Sequence, residues 1–211
     1  MPAKYAERPA PRVTGWDREP STTDERNFTT HAALGWQAWN GMSPEQEFCE
    51  FAATMARVTG ARIVIETGVG QGYTTRRLLD ALRPHGGTLL AFESDAMWRG
   101  KVPLDLGDTP TGEQLAAADL TVLDSDVPVR LAEIARWRTH ARAGALLLVH
   151  DCGNGHADDT PHAQIREHIE SLGIAGRFLA NPRGGFLGIQ SAGLRQLPRS
   201  GFLPPAAGEV A

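Results

Sequence analysis

One stretch, Arg62-Ile63-Val64-Ile65-Glu66-Thr67-Gly68-Val69-Gly70-Gln71-Gly72-Tyr73, limits what this chain can fold into more than any other. A short β-branched run ends in an acid, three alternate glycines follow, and Thr74 to Leu82 begins a helical pattern. Strand, glycine loop and helix N-terminus together form the unit with which open α/β sheets hold nucleotide-like ligands. Alternate glycines let a backbone come close to a ligand, because no Cβ stands in the way.

The rest of the chain supplies partners for that unit. Ser43-Pro44-Glu45-Gln46 reads as a helix start, with Ser43 as cap, Pro44 in the first turn and Gln46 completing a capping box. Phe48, Phe51, Ala52, Met55 and Val58 then recur at helical spacing, Gly60 fits the stop, and Cys49 is read as packing. Thr88 to Phe92 is expected to be a buried strand ending in Glu93-Ser94-Asp95. Glu93 follows the glycine loop by about twenty residues, the spacing of an acid that binds ribose hydroxyls. Asp95 is its substitute.

Val102 to Leu106 reads as a short strand ending in Gly107-Asp108, with Pro103 putting it on an edge. Thr111 to Ala118 is a candidate short helix. Residues 119–123 form a strand ending in Asp124-Ser125-Asp126, and a helix follows whose arginines, Arg136, Arg138 and Arg142, are expected to face solvent. The strand at 145–149 ends in His150-Asp151-Cys152-Gly153-Asn154. A further helix carries Ile165, His168, Ile169 and Leu172, and residues 177–180 and 186–190 read as a closing hairpin.

The glycine loop departs from the dinucleotide pattern G-x-G-x-x-G, because Gly72 comes one place early and Tyr73 stands where glycine is wanted. Read from Glu66 the loop is E-x-G-x-G-x-G, which closely resembles motif I of the class I S-adenosylmethionine (SAM) methyltransferases. The later strings V-L-D-S-D and A-G-A-L-L-L-V-H-D are similar to small-molecule O-methyltransferases of the catechol type, and to the macrolide-sugar and cephalosporin-hydroxylase-like groups. The resemblance runs from about Ser43 to Gln190.

It implies a Rossmann-like, doubly wound α/β fold, a mostly parallel seven-stranded sheet with a terminal antiparallel strand, over residues 43–190. It implies SAM as cofactor, held by Glu66, Gly68, Gly70, Gly72, Glu93 and Asp108 with Asp124 beside them, and methyl transfer to a hydroxyl of a small molecule. It also implies that Asp124 and Asp151 face the acceptor with or without Mg²⁺. The catechol type places asparagine directly after the second acid. Here Cys152 stands there, and Asn154 would serve as the further metal ligand only if the loop bends back.

His150 has two readings, a general base for the acceptor proton or a buried histidine bonded to a neighbour. Gly155 to His162 adds His156, Asp158, Asp159 and His162 to the acceptor side, without a zinc-ligand spacing. Two other classes stay open: a SAM-binding scaffold without turnover, and a nicotinamide-dependent oxidoreductase.

Composition narrows the partners. The 211 residues carry a net charge of −4, against the basic footprint of a nucleic-acid binder. The N/D-P-P-Y/F/W tetrad of adenine and cytosine-N4 methyltransferases is absent after Leu123, which favours a small-molecule acceptor. There is no apolar run of about 18 residues and so no expected membrane helix. Two cysteines are too few for a disulfide framework, and a cytoplasmic setting is expected. Residues 1–42 read as a loose arm in which Phe28, Leu34, Trp36 and Trp39 make a packed helix, a lid or a homodimer contact. Residues 191–211 read as a disordered tail.

Overall fold

The structure, a computed structural model, describes residues 43–99, 106–153, 160–181 and 183–192. The expected arm or lid, the tail beyond 192, and Asn154, His156, Asp158 and Asp159 lie outside the described residues.

Helix α1 (Gln46–Val58) leads into β1 (Ile63–Thr67), α2 (Tyr73–Leu82) and β2 (Thr88–Phe92). Helix α3 (Gly112–Ala117), β3 (Leu120–Leu123), α4 (Val127–His140) and β4 (Leu146–His150) follow. Helix α5 (Thr160–Ser171), β5 (Ala175–Leu179) and β6 (Gly185–Ile189) complete the chain. The sheet order is β2-β1-β3-β4-β6-β5. The first four strands run parallel, and β6 is antiparallel to both neighbours. From β1 the chain first steps to β2 and then crosses back to β3, so the order reverses between β1 and β3. Ligands of open sheets lie beyond the C-terminal ends of strands at such a switch point.

The central strands β1, β3 and β4 are buried on both faces and alternate between two cores. Val64, Leu120, Val122 and Leu148 pack with Phe48 and Ala52 of α1 and with Leu78 and Leu82 from α2. Ile65, Leu123, Leu147 and Val149 pack on the other side with Leu115, Ile134, Trp137, Ile165 and Ile169 from α3, α4 and α5. Strand period two thus delivers successive residues to opposite helical layers, which holds the C-terminal ends of β1, β3 and β4 level with one another.

Three expectations are corrected. Among the described residues the sheet has six strands, not seven. The seventh place holds a single bridge between Phe92 and Gly107. The Phe92 ring packs where a Cβ on Gly107 would stand, and residues 102–105 of the expected edge strand lie outside the described residues. The helix starts later than expected: Glu45, not Ser43, is the N-cap, and its side chain makes no cap hydrogen bond because it is drawn inward. The arginines 136, 138 and 142 are not simply solvated. Arg136 donates to Pro110 O, Arg138 reaches Leu172 O and Gln190, and Arg142 pairs with Asp119.

Candidate functional site

The glycine loop leaves β1 over a close backbone crossing. Gly68 has φ +72°, and a Cβ there would lie 2.3 Å from the carbonyl of Asp124. Gly70, at φ +53°, has nothing within 4 Å of its Cβ position, so the loop presents bare backbone to open space. Its N–H donates to Glu93 Oε2 at 2.9 Å, and Glu93 Oε1 accepts from the N–H of Asp95 at 2.9 Å. Glu93 therefore ties the end of β2 to the loop. Gly72 closes the loop at φ +80° as the N-cap of α2.

In front of this backbone lies a cleft of about 670 Å³, measured out to open solvent. Ser43, Gly68, Gly70, Tyr73, Glu93 and Asp124 are among its walls, and the half-buried Trp98 stands on the β2 side. Asp108 lies outside that wall, with its side chain 73% exposed and paired to Arg99. Glu66 sits behind the loop at 2% exposure, and its Oε2 accepts no hydrogen bond. Burial pushes its carboxyl up to about 8. The Thr75 hydroxyl opposes the rise, while the charges of Asp124 and Glu93 add to it. A buried acid with an unused oxygen beside bare loop backbone is a ready partner for a cationic group of a bound ligand.

Across the switch point a second group of side chains meets. His150, at the end of β4 and wholly buried, turns Nδ1 to Asp124 Oδ1 at 2.9 Å and Nε2 to Glu45 Oε2 at 2.5 Å. Burial alone would favour a neutral ring. The charges of Asp151 and Asp124 and the hydrogen bonds to Asp124 and Glu45 outweigh it and push the imidazole up to about 10.

Asp151 Oδ2 accepts from Arg183 at 2.5 Å, and His162 stands 3.8 Å from the same oxygen. Arg130, from α4, reaches Asp124 Oδ1 at 3.3 Å, His150 O at 2.6 Å and the carbonyl of Ser125. On the far side of that carbonyl, Glu133 accepts from Thr67 Oγ1 at 2.9 Å and Ser125 Oγ at 2.6 Å. The loops after β1, β3 and β4 are thus held by charged side chains from α4 and from the turn before β6.

Searched against solved structures, the chain matches many. An O-methyltransferase from Bacillus cereus in complex with SAH is 17% identical, with a TM-score of 0.59 over 85% of this chain and 95% of that one. The fold is that of the SAM-dependent O-methyltransferases. TomG, an O-methyltransferase from Streptomyces achromogenes in complex with SAM, shares this methyltransferase fold at 17% identity and TM-score 0.52, over 68% of this chain and 79% of its own. The SAH-bound methyltransferase PaMTH1 from Podospora anserina does so at 13% and 0.54, over 68% and 78%. No family profile and no curated protein matches the sequence.

On this fold the structure brings Gly68, Gly70, Glu93 and Asp124 to one cleft, and Asp124, His150 and Asp151 to one cluster within 4.8 Å. It leaves Asp108 at the rim. Sequence reasoning missed Glu45, Arg130, Arg183 and Trp98 as parts of the site. No local signal in the sequence marked Glu45 or Arg183, since an acid in a first helical turn and an arginine in a glycine turn are both ordinary surface contexts.

Proposed function

We propose that this protein is a SAM-dependent methyltransferase acting on a hydroxyl oxygen of a small molecule. The observation that carries the reading is the glycine loop itself, where Gly70 offers bare backbone to the cleft while Glu93 holds its N–H and the sealed Glu66 keeps an oxygen unused. Those features fit SAM: Glu66 and Gly68 toward the methionine part, Glu93 toward the ribose, and Trp98 on the adenine side. When bound, SAM supplies an electrophilic methyl group on a sulfonium sulfur. The solved relatives with SAM or SAH support the same assignment.

The chain's own part is to place the acceptor and take its proton. Asp124 lies on the cleft wall, and its carboxyl stays below the usual range. Burial opposes this, but His150, Arg130 and Arg183 outweigh burial. An oxygen that gains a methyl group becomes strongly acidic, so even a weakly basic carboxylate can receive the proton and pass it to solvent. Orientation of the two reactants is the larger contribution. His150 is not given the base role, since both ring nitrogens already face carboxylates.

A divalent metal at Asp124 and Asp151 does not fit the charges around them. Arg130 and His150 take one oxygen of Asp124, and Arg183 takes one of Asp151. A cytoplasmic setting goes with this reading, supported by two buried free thiols, Cys49 and Cys152. No described helix is long and apolar enough to cross a membrane. Incubation with methyl-labelled SAM and a panel of phenols, sugars and hydroxy acids tests the proposal. Label must move to a hydroxyl, and an Asp124→Asn variant must bind SAM yet transfer little.

A further inference from the structure

We propose that Arg130, Arg183 and His150 together occupy the electrostatic place of a divalent cation between Asp124 and Asp151, so that the acceptor side of this fold runs on fixed protein charges. The inference rests on the reading of that side as the acceptor's, and the test below separates the two.

His150 Nδ1 faces Asp124 at 2.9 Å and Nε2 faces Glu45 at 2.5 Å, and with both carboxyls ionised the ring between them carries two N–H groups and a positive charge. Three carboxylates, Glu45, Asp124 and Asp151, then meet three cations, His150, Arg130 and Arg183. The nest is neutral as built. A divalent ion placed in it would add two uncompensated charges at a site where Asp151 and His150 are almost wholly buried.

The cations are also tethered against displacement. Arg130 donates to the backbone carbonyls of His150 and Ser125, and Arg183 donates to Ser43 O at 3.0 Å. Two carboxylate oxygens of the pair are left: Asp124 Oδ2, and Asp151 Oδ1, which accepts no hydrogen bond and lies 3.2 Å from His150 Nδ1. A hard divalent ion on those two oxygens would sit against three cations already in place.

Asp151 itself is the only non-glycine among the described residues with positive φ, at 52°. Aspartate is one of the few residues other than glycine that adopt this left-handed conformation. What the conformation achieves is the carboxylate's aim, one oxygen on Arg183 and the other at the imidazolium.

Manganese(II) alone is the probe, titrated into the full-length protein and followed by electron paramagnetic resonance of the free ion, with SAM calorimetry on the same sample. Wild type is expected to hold no stoichiometric Mn²⁺ below the millimolar range, and Asp151→Asn to change nothing. Arg183→Gln, which frees Asp151 Oδ2 and unbalances the nest, is expected to gain roughly tenfold or more in Mn²⁺ affinity. One Mn²⁺ bound by wild type in the micromolar range and lost in Asp151→Asn overturns the proposal, as does a folded Arg183→Gln that gains no affinity. If Arg183→Gln does not fold, the wild-type and Asp151→Asn pair decides. Failure of SAM to bind while the manganese result holds would sink the methyltransferase reading and leave the charge assignment standing.

Discussion

Nε2 of His150 lies 2.5 Å from Oε2 of Glu45, with both side chains wholly buried. The contact joins the start of α1 to the end of β4 across 105 residues of sequence. The backbone N–H of Arg183 adds a second tie to Glu45 at 3.1 Å, so the entrance of the first helix, the end of the fourth strand and the turn before the last strand form one unit.

Breaking that unit leaves a buried cation without its partner. Glu45→Gln should cost about 3–5 kcal/mol of stability by chemical denaturation. It should also change the acid limb. Burial alone would raise the Glu45 carboxyl, but His150 and the backbone N–H groups around it hold it down at about 2, against an ordinary 4.5. A depressed carboxyl contributes stability above its unfolded value, and that stability is lost as pH falls from about 4.5 toward 2. Melting temperatures across that window should fall more steeply in wild type than in Glu45→Gln.

Glu66 carries the opposite sign. Its folded carboxyl titrates near 8, so between about 4.5 and 8 the folded chain holds a proton that the unfolded chain has released. Stability should therefore decline as pH rises through that window, and Glu66→Gln should flatten the decline. A cationic ligand settling beside Glu66 would expel the proton. Calorimetry near pH 7 in buffers of different ionisation enthalpy should register proton release on SAM binding in wild type and none in Glu66→Gln.

Two glycines of one loop should respond differently to alanine. At Gly68 the new methyl meets the Asp124 backbone at 2.3 Å, in a left-handed conformation, and neither chain can yield without moving β1 from β3. Gly68→Ala should lose several kcal/mol of stability, or fail to fold. At Gly70 the methyl projects into open space, so Gly70→Ala should lose only about 1 kcal/mol from its left-handed backbone. That methyl stands where the ligand would approach, and SAM affinity should drop by far more than stability does.

Much of this was legible because it is local. The strand, the three glycines and the helix start of 62–82 lie in one continuous stretch, and Glu93 follows at a spacing set by a single helix and turn. The charged nest was not legible, because Glu45, Arg130, His150 and Arg183 become neighbours only when four separate elements converge. A charged residue at a helix start or in a glycine turn ordinarily faces water, so nothing local marks Glu45 or Arg183 as buried. The same reason explains the arginines of α4, whose long side chains reach carbonyls on neighbouring elements. Of the strand expected at 102–106 with its Gly107-Asp108 end, residues 102–105 lie outside the described residues, and Gly107 makes a single bridge to the edge of β2.

Glu93 offers a direct check on the cofactor half of the site. Both of its oxygens hold backbone N–H groups of the cleft wall and retain lone pairs for ribose hydroxyls. Glu93→Ala removes those bonds and should weaken SAM binding by about two orders of magnitude, at roughly 1.4 kcal/mol for each tenfold. The folded state should survive, because the side chain sits at the sheet's edge and not in either apolar core.

The measurement that bears most directly on the whole account is calorimetry of the purified chain with SAM and, separately, with NAD⁺. The account predicts one SAM site in the micromolar range, no response to NAD⁺, and no change in SAM affinity when EDTA is added. Binding of NAD⁺ in place of SAM, or of neither, would contradict it.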